Sequence, residues 1–150
     1  MTQDIADIAV RGPVRVVVDS DGRCADLGPE FTRVQGRDLR RVAQLAAAAR
    51  RDSPDADVLV DIDVVLDHSA AAARQRWDTE GGPCSPETLT YIGTPEGLAG
   101  LVADIHALGM CDGAVLRALL PGVAELIRVR VLPMLATLAP AITAGPISWR

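Results

Sequence analysis

Lysine and asparagine are missing from these 150 residues, and all 15 basic side chains are arginine. A bias of that kind follows GC-rich codon usage, so no single Arg is by itself a sign of a phosphate clamp. Aromatic residues make up only 3% of the chain. The core must therefore be built from Val, Leu, Ile and Ala, the composition of aliphatic strands flanked by alanine-rich helices. Basic charge is in deficit, with a formal net charge of −5, which excludes the basic surface of a nucleic-acid-binding protein. Cys24, Cys84 and Cys111 are odd in number and lack metal-ligand spacing. That excludes a disulfide framework and a zinc site and leaves them as small apolar packing residues. There is no Gly-x-Gly-x-x-Gly, no P-loop, no Gly-x-Ser-x-Gly and no His/Cys cluster. No basic region leads into an apolar run at the N-terminus, so no signal peptide is expected. No stretch approaches ~18 uninterrupted apolar residues, so no membrane span is expected either, and the default location is cytoplasmic.

What the chain does have is 49% apolar residues in a length that suits one domain with a real core. The expected organisation is an N-terminal arm over residues 1–12, a folded domain over 13–138 and an irregular tail over 139–150, where two prolines and a glycine fall. Pro13 to Val18 reads as a strand with three consecutive valines, followed by the turn Asp19-Ser20-Asp21-Gly22. Arg23 to Gly28 has room for a helical turn, and Phe31 to Val34 reads as a short strand. Asp38 to Arg51 is a helix with Leu39, Val42, Leu45, Ala46 and Ala49 on one stripe. Val58 to Leu66 is the best strand of the chain. A helix is expected over Ala70 to Trp77, a loop over Asp78 to Thr88, and a last helix over Val123 to Leu138.

The most informative stretch runs from Tyr91 to Arg117. It reads as strand, turn, helix, turn, strand. Thr94 is placed to cap the helix, Pro95 suits its first position and Glu96 suits its positive end. Leu98, Leu101, Val102, Ile105 and Leu108 form its apolar face, and Gly109 supplies the left-handed residue that closes it. An apolar strand from Ala114 to Leu116 follows. This is one αβ unit of a parallel α/β fold.

The same residues resemble a family. Gly93-Thr94-Pro95-Glu96 opening a helix, then Asp112-Gly113 with an apolar strand, then Leu119-Leu120-Pro121 and Val131-Leu132-Pro133-Met134-Leu135, look like the C-terminal end of luciferase-like flavin monooxygenases. The branch most resembled holds nitrilotriacetate and alkanesulfonate monooxygenases. The likeness is specific over residues 91–135 and extends, less specifically, to 57–77. It implies a (β/α)8 barrel, a reduced FMN or deazaflavin cofactor, O2 as co-substrate and a separate flavin reductase as a partner. A complete barrel of that kind needs ~200–250 residues, so the implied fold is a half barrel, a parallel sheet with packed helices. The matching segments build the last strands of the family barrel. The family's catalytic histidines lie in the earlier half, so the resemblance assigns no catalytic residue here.

Four groups can carry chemistry. By position in the resemblance, Ser20, Gly22 and Arg23 stand where the family holds the flavin phosphate. Asp19 and Asp21 flank Ser20 and would repel a dianion, so an Asp-rich turn and weak flavin binding are the alternative. Asp61 and Asp63 share one face of their strand with Leu59 and Val65. Two acids there can hold a cation, act as an acid/base pair, pair with Arg side chains inside the sheet, or face water. His68 follows the same strand at the end where parallel α/β sites lie, and a surface or capping role is its alternative. Arg117 ends the last strand, at the rim where an anionic small-molecule substrate such as a sulfonate or carboxylate could be attracted, unless it is tied up by Asp112 or another acid. Unpaired strand edges in a half barrel recruit partners, so a homo-oligomer is expected. Two functions are then open: a flavin-dependent monooxygenase completed by dimerisation, or a non-catalytic barrel half that serves as an oligomerising or interaction module.

Overall fold

A computed structural model of the chain describes residues 14–19, 27–82 and 85–138. Five strands, β1 (Arg15–Asp19), β2 (Phe31–Val34), β3 (Asp57–Leu66), β4 (Leu89–Gly93) and β5 (Gly113–Ala118), form one parallel sheet. The helices are α1 (Leu39–Asp52), α2 (Ala70–Glu80), α3 (Pro95–Ala107), α4 (Val123–Leu126) and α5 (Leu132–Leu138). The expected arm and tail and the turn at residues 20–26 lie outside the described residues. Among the described residues no helix is long and apolar enough to cross a membrane.

Helices α1, α2 and α3 each start where the sequence provides a side-chain cap. Asp38 accepts from Arg41 N, Ser69 from Ala72 N and Thr94 from Gly97 N. These side chains satisfy backbone N–H groups that have no partner within the helix. Gly109, at φ 78, takes the left-handed turn that leads from α3 into β5. Helix α2 runs one turn further than its expected end at Trp77. The N–H of Gly81 donates to Trp77 O at 2.8 Å, and Arg76 pairs with Glu80 at 3.4 Å. The last helical stretch covers Val123 to Leu138 as expected, but Ile127–Val131 is a π-helical turn between α4 and α5. Pro133 accounts for it. Its ring clashes with the carbonyl of Val129, and it has no N–H to donate there, so the helix must open.

Strand β3 is central. It pairs with β5 along one side, and its other side is shared by β2 at Asp57–Val60 and β4 at Ile62–Leu66. β1 pairs with β5, so the first strand lies beside the last and not in sequential order. One face of β3, with Val58, Val60, Ile62, Val64 and Leu66, joins the core formed with Val42 and Ala46 of α1, Ala73 of α2, and Leu98, Val102 and Ile105 of α3. Leu59, Asp61, Asp63 and Val115 lie on the opposite face, and they too are buried.

Curling of the sheet explains that second burial. Arg15 of β1 pairs with Asp57 of β3 at 3.6 Å, and its guanidinium lies 5.7 Å from the ring centre of Phe31 on β2. β1 and β2 stand at opposite ends of the strand order, so this contact spans the face. Gly113 permits the curl, since a Cβ there would overlap the main chain of Arg15. The result is an α/β half barrel: a curled parallel sheet with helices outside and a narrow polar interior.

Candidate functional site at the strand ends

Parallel α/β folds place ligands at the C-terminal ends of their strands. At that end a row of registered residues crosses the interior face: Asp19 on β1, Arg117 on β5, Asp63 on β3 and Thr90 on β4. One step deeper lie Val17, Val115 and Asp61. Strand alternation puts Asp61 and Asp63 on the same face, as the sequence indicates.

The two acids are held differently. Asp61 is fully buried and accepts three hydrogen bonds: from Arg33 Nε at 2.9 Å, Arg33 Nη2 at 2.8 Å and Gln35 Nε2 at 2.7 Å. This is a bidentate, charge-assisted pair with a third donor, the arrangement a buried carboxylate needs. Asp63 is 2% exposed and meets Arg117 Nη1 at 3.4 Å. Its Oδ1 and the Nε of Arg117 are buried and accept or donate no hydrogen bond. Burial pushes the Asp63 carboxyl above its ordinary range, opposed by the Arg117 charge and reinforced by that of Asp61. Of the alternatives open for these acids, the structure realises pairing with Arg inside the sheet. No group of three or more His, Cys, Asp or Glu side chains that could hold a metal occurs among the described residues.

Arg117 thus stands at the strand end, paired with Asp63 and not with Asp112, and its side chain is 23% exposed. Asp112 belongs to the opposite end of the sheet. Its Oδ2 accepts from Val58 N at 2.8 Å, its N–H donates to Val58 O at 2.7 Å, and Arg50 pairs with it at 3.6 Å. His68 follows β3 with its side chain 82% exposed, and its Nδ1 lies 2.9 Å from Asp67 Oδ1. The backbone N–H of His68 is the main cause holding the Asp67 carboxyl below its ordinary range, with the imidazole next. His68 and Arg117 each have a different acid as partner. Ser20, Gly22 and Arg23 lie outside the described residues. Cys111 is buried, and burial raises its thiol to about 12, so it is an inert packing residue.

Arg33 and Gln35 were not singled out from the sequence. Their signal was the alternation Phe31, Arg33 along β2 continued by Gln35 just after it, but only the pairing of β2 with β3 shows which acid they serve. A flavin, which the resemblance implies, does not fit within the described residues alone. The interior beside Asp61 and Asp63 is filled by the curled sheet's own side chains. The turn into α3 offers no phosphate cradle either, because the Tyr91 hydroxyl fills the space a Cβ at Gly93 or Gly97 would need and donates to Thr94 O at 3.0 Å.

Fold and strand-end row together define a parallel α/β half barrel with a polar interior. No protein-family model and no curated protein sequence matches the chain. Among solved structures, the fold is shared with EDTA monooxygenase from Chelativorans sp. BNC1, at a TM-score of 0.60 and 15% sequence identity. The alignment covers 73% of this chain and 40% of that one, so the chain spans about two-fifths of the length of the structure it matches.

Proposed function

We propose that this chain is a half-barrel module of a luciferase-like flavin-dependent monooxygenase, an oxidoreductase that uses reduced FMN or deazaflavin and O2 on a small anionic substrate. The observation that carries the reading is the curled parallel sheet with a charged row at its strand ends, on a fold shared with a monooxygenase. EDTA, for which that enzyme is named, is a polyanion, which suits Arg117 as the substrate-contacting residue at the rim. Because the described interior is closed by its own packing, the cofactor surface comes from a second copy of the chain together with Ser20, Gly22 and Arg23. A separate flavin reductase supplies the reduced cofactor. His68 stands on the same rim and faces solvent.

A second reading is favoured by one observation. Arg33 and Gln35 together give Asp61 three hydrogen bonds, as in a core built for stability. In this reading the chain is a non-catalytic barrel half that serves as an oligomerising module through its unpaired strand edges. One experiment separates the two. Purified protein is incubated with oxidised and with reduced FMN and passed through gel filtration with light scattering. Flavin absorption that travels with a dimer supports the enzyme. A dimer without flavin supports the module, and a flavin-free monomer overturns both.

A further inference from the structure

Asp61 cannot be prised from its partners without stranding a buried charge, whereas Asp63 is held loosely. Its 3.4 Å contact with Arg117 is longer than the roughly 2.7–2.9 Å of a charge-assisted hydrogen bond. Both groups retain unused bonding capacity, at Asp63 Oδ1 and Arg117 Nε. The Arg117 side chain is partly exposed, so a solute can approach it from the rim. An oxyanion that offers two acceptors to the guanidinium fork would satisfy Arg117 better than Asp63 does.

We propose that Asp63 is a built-in competitor for Arg117: an anionic group binds at the strand-end rim only by displacing the Asp63 carboxylate from the guanidinium. This rests on the reading of Arg117 as the anion-contacting residue. The displaced carboxylate would be left buried, which favours its neutral form, so anion binding takes up a proton from solvent onto Asp63. The groups that face Asp63 are consistent with this. Arg117 comes from β5, with Asp19 beyond it on β1; Asp61 lies on β3, already engaged by Arg33 and Gln35; and Thr90 comes from β4. Asp63 is thereby a specificity-determining residue, setting how strong an anion must be to bind and at what pH.

Sulfate is a suitable probe, because it stays a dianion across the range tested. The Arg117 Nε–H signal, assigned by its absence in Arg117→Gln, is followed by NMR as sulfate is added at constant ionic strength. For the native chain, affinity should rise as pH is lowered from about 8 to about 5. Asp63→Asn should bind about tenfold more tightly at the upper pH and lose most of the pH dependence. Equal affinity or equal pH slopes in the two proteins would overturn the proposal, as would sulfate binding undiminished by Arg117→Gln. If the Asn variant does not fold, the native profile decides alone: a flat profile refutes the competition. No flavin enters this measurement, so the sulfate result stands or falls independently of FMN retention.

Discussion

The two ends of the curled sheet handle charge in opposite ways. Below the strand-end row, Arg15 with Asp57, Asp112 with Val58 and Arg50, and Asp61 with Arg33 and Gln35 form contacts that tie separate segments together. Toward the C-terminal ends, Asp63 and Arg117 meet loosely and leave buried atoms without hydrogen bonds. Two residues along one strand separate a saturated acid from an undersaturated one. The lower contacts at Asp61 are saturated with hydrogen bonds, and the pair at the upper end is not.

The largest disturbance of the lower end should come from Arg33→Ala. It leaves Asp61 buried with only Gln35 as a donor, a loss of about 3–5 kcal/mol, read as a lower midpoint in urea unfolding. Gly113→Ala should follow. Its methyl group would meet the Arg15 main chain, forcing β1 away, at a loss of about 1–3 kcal/mol; an unchanged midpoint would mean the curl is looser than described. Asp112→Ala removes the acceptor for Val58 N and the partner of Arg50, for a loss of about 1–3 kcal/mol.

The smallest change belongs to the upper end. The folded-state pKa of Asp63 is raised, so its contribution to stability is fully present below the ordinary carboxylate range and is lost as pH rises through the raised value. Asp63→Asn should therefore gain on the native chain between acid and neutral pH, whatever its absolute stability. Paired urea titrations at the two pH values check this, and a variant that loses ground as pH rises would contradict it.

Local signals carried most of the secondary structure. Asp38, Ser69, Thr94 and Gly109 act within one turn of themselves, so helix starts and the α3 exit were legible from composition and spacing. The shared face of Asp61 and Asp63 was equally legible, because alternation needs no partner. Strand order was not. That β1 lies beside β5, and that β2 and β4 divide one side of β3, depends on contacts between distant segments that no local pattern encodes. For the same reason the sequence left open four fates for the acid pair, and it could not say that Arg33 would serve one acid and Arg117 the other. The exposure of His68 likewise depends on what packs over the strand end.

The widened turn before Pro133 sets the phase of the last helix. Val123, Ile127, Val131 and Leu135 are all buried, and each stands four residues after the one before. In a regular α-helix a step of four overshoots a full turn by about 40°, so such a row would wind away from the sheet. The π-helical turn takes in an extra residue and resets the rotation, keeping Leu135 in line with Val123. Regular winding of the same residues would rotate everything beyond the turn by about 100° and carry Leu135 out of the core, whereas deleting one residue within 127–131 would remove the extra residue and keep Leu135 facing it.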